Sequence, residues 1–118
     1  MLLLVDDNLE QLELLQLILE RQGFTVATAA TATDAIGRCH QGDTVVMDLR
    51  IPALDDGLSL IRQLSACLGV SIVVLAGFPE ELTGRPERAL VHHILRKGGG
   101  TGALVDLLRS ADRPPSTP

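Results

Sequence analysis

Four residues in this sequence have types and positions that together could do chemistry: Asp6, Asp7, Asp48 and Lys97. Asp6-Asp7 ends the apolar run Leu2-Leu3-Leu4-Val5, Asp48 ends Thr44-Val45-Val46-Met47, and Lys97 ends Ile94-Leu95-Arg96. Three carboxylates brought together repel one another and raise each other's pKa unless a cation lies among them. Mg²⁺ answers that need, because it takes one or two carboxylates, keeps several waters and leaves room for phosphate oxygens. A carboxylate beside such an ion can attack a phosphoryl donor and become an aspartyl phosphate. That reaction asks mainly for positioning and charge neutralisation, which a metal and a lysine supply. Taken singly, each Asp reads as an ordinary turn or capping acid. The set points to chemistry only if the fold brings it together.

The elements that must do so can be read from hydrophobic periodicity. Leu2–Val5 is apolar at every position, as a strand buried on both faces requires. Over Leu9–Gln22 the period becomes helical, with Leu12, Leu15, Ile18 and Leu19 on one side. Asn8 is the expected N-cap and Gly23 the C′ residue. Phe24–Ala29 reads as a second strand and Thr31–Gln41 as a second helix closed by Gly42. The third strand is Asp43–Met47, ending at Asp48; a loop with Pro52 and Gly57 then leads to a helix over Leu58–Leu68. Ser71–Leu75 is a fourth strand. Gly84 and Pro86 interrupt the next stretch, leaving one short helix near Pro86–Val91 with proline at its first position. His93–Arg96 is a brief fifth strand and Thr101–Ser110 the last helix. Alternating strands and helices imply an α/β fold, a parallel sheet with right-handed crossovers and helices on both faces. Ligands of such sheets bind beyond the carboxyl ends of the strands, where the four chemical residues lie.

Composition narrows the function classes. The chain has 118 residues, one domain's worth, and 46% of them are hydrophobic. Aromatics make up only 2%, so base stacking is not available, and the net charge of −5 disfavours a direct nucleic-acid partner. Cys39 and Cys67 form no CxxC pair and read as free thiols in a reducing compartment. No stretch reaches the roughly 20 apolar residues of a membrane span, and Met1–Val5 is too short for a signal peptide, so a cytoplasmic location with no membrane association is expected. His92 and His93 read as strand-entry residues, and Glu80-Glu81 as a solvated charged turn. The segment Arg113-Pro114-Pro115-Ser116-Thr117-Pro118 carries no apolar side chain and reads as a disordered tail or linker start.

Leu4-Val5-Asp6-Asp7-Asn8, Val46-Met47-Asp48-Leu49-Arg50-Ile51-Pro52 and Leu95-Arg96-Lys97 resemble the segments of the response-regulator receiver family of two-component signalling. The similarity covers nearly the whole chain, as a receiver domain over 1–112 followed by the tail 113–118. It implies a doubly wound, flavodoxin-like (βα)5 fold with strand order 2-1-3-4-5. It implies that Asp48 takes a phosphoryl group from a sensor histidine kinase or phosphotransfer protein. Asp7, Asp48 and the Arg50 carbonyl are the implied Mg²⁺ ligands, with Asp6 acting largely through water. Lys97 and the backbone N–H groups of Leu49 and Gly77 are the implied phosphoryl-binding groups. The domain is then a signalling switch and not an enzyme, apart from its own phosphorylation and dephosphorylation. A monomer or weak homodimer is expected, working through the face of its fourth helix, fifth strand and fifth helix on an output domain or partner protein.

This sequence departs from the family pattern at several points. Ala76 stands where the family has Ser or Thr, and the lost hydrogen bond to a charged group is worth about 1.5–3 kcal/mol. That loss corresponds to roughly one to two decades in a phosphorylation-driven population shift. Ile94 replaces the family's switch aromatic. Gly98-Gly99-Gly100 follows Lys97 in place of proline and predicts a flexible loop. Gly57 lies one residue later after Asp48 than usual, which reads as an inserted loop residue. These departures support a second reading, a pseudo-receiver that binds partners without phosphorylation. A third, a small α/β enzyme or flavin-binding domain, shares the architecture. No glycine-rich phosphate loop follows the first strand, however, and Asp6-Asp7 would repel a flavin phosphate there.

Overall fold

The first strand shows how this sequence builds its core. In the computed structural model, which describes residues 1–98 and 100–112, β1 (Leu2–Val5) is buried at every position. Leu2 and Leu4 face one apolar cluster and Leu3 and Val5 the other, because successive strand side chains point to opposite faces. Both faces are therefore covered. α1 (Leu9–Arg21) and the last helix, α4 (Gly102–Asp112), contribute Leu12, Leu19, Leu104, Val105 and Leu108 to one layer. α2 (Ala32–Arg38) and α3 (Leu54–Ser65) contribute Ala35, Leu58, Leu60, Ile61 and Leu64 to the other.

Five parallel strands lie in the order β2-β1-β3-β4-β5, with β2 at Val26–Ala29, β3 at Thr44–Asp48, β4 at Ser71–Ala76 and β5 at His93–Arg96. This is the strand order that the resemblance implies. Registers set the carboxyl ends side by side: Val5 lies opposite Met47, Asp48 opposite Leu75, and Ala76 opposite Arg96. Asp6, Asp48 and Lys97 thus emerge along one edge of the sheet, on either side of the point where strand order reverses.

Asn8 caps α1 through its side chain, which accepts from the Gln11 N–H, and Gly23 follows the helix at φ +95°. Several boundaries differ from the expected ones: β2 begins at Val26, not Phe24, and α3 ends at Ser65, not Leu68, and three further differences are larger or shape the site. α2 ends at Arg38, short of Gln41, because Cys39 turns extended and the buried Asp43 carboxylate accepts the His40 N–H at 2.8 Å. α3 begins at Leu54, not Leu58. Gly57 is inside this helix and not in an inserted loop, packed so tightly that a Cβ there would lie 1.6 Å from the Leu49 carbonyl oxygen. The third difference is at the expected fourth helix, where two 3₁₀ turns stand, Pro79–Leu82 and Pro86–Leu90, each opened by its proline. Between them Gly84 takes φ +76°, a left-handed conformation that ends the first turn.

Cys39 and Cys67 are free and half-buried, and burial first, then the neighbouring Cys67, push the Cys39 thiol up to about 11. Among the described residues no helix is long and apolar enough to cross a membrane. The expected tail at 113–118 and Gly99 of the glycine run lie outside the described residues; Gly98 and Gly100 take φ +86° and +84°.

Candidate functional site

Each acid of the site is placed by a strand end and oriented by the turn that follows. The Asp6 N–H donates to the Ala29 carbonyl at 3.2 Å, so β1 stays paired with β2 up to the first acid. Its Oδ1 accepts the Asn8 N–H at 2.9 Å, an Asx turn that leads into α1. Asp48 mirrors this, its Oδ1 accepting the Arg50 N–H at 3.3 Å. Asp7 is exposed at the rim. Carboxylate oxygens of Asp6, Asp7 and Asp48 lie within 4.8 Å of one another.

Lys97 completes the group. Its backbone N–H donates to the Ala76 carbonyl at 2.9 Å, which fixes the residue to the end of β4. Its Nζ donates to Asp48 Oδ2 at 2.8 Å and lies 4.0 Å from Asp6 Oδ2. Burial by itself would lower the pKa of this ammonium. The hydrogen bond to Asp48 and the charges of Asp48, Asp6 and Asp7 more than offset it, and the pKa stands above the ordinary lysine value. Burial is the largest influence on Asp6 and pushes its carboxyl above the ordinary range, opposed by the Asn8 N–H and Lys97 and reinforced by Asp48 and Asp7. The site is a partly desolvated concentration of negative charge with one ammonium set against it.

The remaining predicted positions divide. Ala76 is 1% exposed and offers only a methyl group at the end of β4. Gly77 follows it with open space where a side chain would be. Ile94 is half-buried against the apolar layer that contains Leu82 and Val91. The Leu49 N–H does not face a phosphoryl oxygen as expected; it donates to the Leu75 carbonyl at 3.1 Å and extends the β3–β4 pairing.

Glu81 was also misread as a solvated turn residue. Its carboxylate is 19% exposed and pairs with the Arg50 guanidinium at 2.5 Å, which ties the loop after Asp48 to the first 3₁₀ turn. A sequence separation of 31 residues hid that pair. A second pair, Arg62 with Glu87, ties α3 to the second turn.

The sequence matches the family described as response regulator receiver domain over residues 2–109. This chain is a response regulator receiver domain. Curated relatives agree. The receiver is 32% identical over 82 residues to the transcriptional regulatory protein CpxR homolog of Haemophilus influenzae, covering 69% of this chain and 36% of that one. It is 36% identical over 87 residues to the transcriptional regulatory protein AruR of Pseudomonas aeruginosa, covering 68% and 35%. The chain spans about a third of the length of the curated relatives it matches.

Among solved structures, a CheY-like receiver domain from Methylobacillus flagellatus superposes on this receiver with a TM-score of 0.77 at 28% identity, covering 92% of this chain and 95% of that one. The response regulator TrrA of Thermotoga maritima, solved with Mg²⁺-BeF, gives 0.79 at 18% identity, covering 92% and 96%, and shares the fold. The receiver is thus a signalling domain of two-component systems, with an acidic cluster at the sheet edge where its strands end.

Proposed function

We propose that Asp48 is the phosphoacceptor and that a histidine kinase or phosphotransfer protein is the donor. A carboxylate oxygen of Asp48 attacks the phosphorus of a phosphohistidine. The P–N bond breaks as the O–P bond forms, and the released imidazole takes a proton. One observation carries this reading: three carboxylates lie within 4.8 Å with the Lys97 ammonium on Asp48 Oδ2. The donor set fits Mg²⁺, since hard oxygens at this spacing suit a small divalent ion and are mutually repulsive without a cation. Asp6, Asp7 and Asp48 would hold it with the Arg50 carbonyl, and bound there it would neutralise charge on the transferring phosphoryl group.

The protein's own groups do the rest. Asp6 and Asp7 keep the pocket acidic. Lys97 leaves its ion pair to hold a phosphoryl oxygen, and the Gly77 N–H is the nearest donor that the end of β4 can offer in place of a hydroxyl. Hydrolysis of the aspartyl phosphate returns the domain to rest. Such a partner places the domain in the cytoplasm. Several relatives are named DNA-binding or transcriptional regulators, which supports an output on DNA binding. The receiver would control that output without itself touching DNA, its chain carrying a net charge of −5.

Incubation with Mg²⁺ and acetyl phosphate followed by intact mass tests the reading. The expected result is one added phosphoryl group, absent in Asp48→Asn and after chelation of the metal. No adduct on folded protein would instead establish the pseudo-receiver reading, which the buried methyl group of Ala76 and the aliphatic Ile94 favour.

A further inference from the structure

β4 ends on a methyl group at Ala76, so no side chain of that strand end can bond a phosphoryl oxygen. Another group must carry the state of Asp48 to the rest of the molecule, and the loop after Asp48 holds one. The Arg50 backbone N–H already sits on Asp48 Oδ1, while its guanidinium is turned away to Glu81 on the Pro79–Leu82 turn. We propose that Arg50 reads the phosphoryl group: its guanidinium, held by Glu81 before transfer, moves to the phosphoryl oxygens afterwards and frees the Pro79–Leu82 turn. This rests on Asp48 being the phosphoacceptor.

The energetics favour the exchange. The Arg50 side chain is 55% exposed, so its pair with a single carboxylate is a weak one. A phosphoryl group brings about −1.5 to −2 charges and three acceptor oxygens, a match for the planar guanidinium fork. The freed turn is coupled inward. Leu82 at its end is fully buried in the apolar layer against which Ile94 of β5 packs. The second turn, Pro86–Leu90, is anchored separately, by Glu87 to Arg62 on α3, a pair that includes no residue of the loop after Asp48. Release should therefore be confined to the first turn.

The amides that report it are Glu81, Thr83 and Arg85, bonded to the carbonyls of Phe78, Glu80 and Leu82. Hydrogen exchange of the receiver would be measured with Mg²⁺, with and without acetyl phosphate, and the fraction carrying the adduct read by intact mass. In the wild type the adduct should raise exchange at 79–85 about three- to fivefold, the shift that one exposed ion pair can support, and leave 86–91 unchanged. Glu81→Gln should show that rise without phosphodonor and no further rise with it. Arg50→Gln should behave likewise and lose its phosphoryl group faster, with Arg50→Lys restoring part of the lifetime. An adduct without a rise at 79–85, or Glu81→Gln exchanging like the unphosphorylated wild type, overturns the proposal alone. Absence of any adduct overturns it together with the phosphoacceptor reading.

Discussion

The two halves of the sheet edge are built to different tolerances. At the ends of β1 and β3 the strands are buried on both faces, and Asp6 and Asp48 are each oriented by a backbone N–H two residues on. Gly57 of α3 presses against the Leu49 carbonyl, one residue after Asp48. From Gly77 onward the chain makes two 3₁₀ turns, a fifth strand with no fully buried residue, and glycines at positive φ on both sides of Gly99. Its links to the rest include two arginine–glutamate pairs. The difference separates a fixed half that holds the acidic cluster from a more adjustable half beside it, since loosely packed segments held by exposed polar contacts open at low free-energy cost.

The sharpest break of this comparison comes from glycine. Gly57→Ala should cost about 3 kcal/mol or more, because the added methyl group meets backbone that cannot yield. Gly98→Ala, at positive φ in open space, should cost about 1 kcal/mol of backbone strain. Urea midpoints of both variants measure this, and equal losses would erase the distinction. Lys97→Gln crosses the two halves. It should slow phosphorylation by acetyl phosphate on the order of 100-fold, as loss of a charge-stabilising donor does, with little change in melting temperature.

Ala76→Ser would sharpen the comparison by placing a hydroxyl at the end of β4, where the adjustable half begins. A lengthening of the aspartyl phosphate lifetime by about tenfold, followed by intact mass over time, is expected from one hydrogen bond to a charged group. The smallest effect concerns the second anchor. Glu87 has its pKa lowered from 4.5 by its own backbone N–H and by the Arg62 guanidinium. A depressed carboxyl stabilises the fold fully above its unfolded pKa and loses that contribution as pH falls through the folded value. Glu87→Gln should therefore melt lower than wild type near pH 6, with the gap closing below about pH 4.

The sequence by itself determined the strands, the layers and which acidic and basic residues end them. Buried parallel strands demand continuous apolar runs, so β1, β3 and β4 were legible; the ends of β1 and β3 marked Asp6, Asp7 and Asp48, and Lys97 stood at the end of the short fifth run. The cap of α1 was legible because Asn8 acts within three residues. Only the tertiary structure decided what depends on contacts between distant segments. Gly57 looked like a loop residue, because nothing local says that a helix must approach the Leu49 carbonyl. The Leu49 N–H looked free until the register of β4 consumed it. Glu81 looked solvated, and its pairing with Arg50 follows from where the turn after β4 comes to rest. Local patterns are written in neighbouring residues, whereas these contacts are fixed by the packing of elements far apart in the chain.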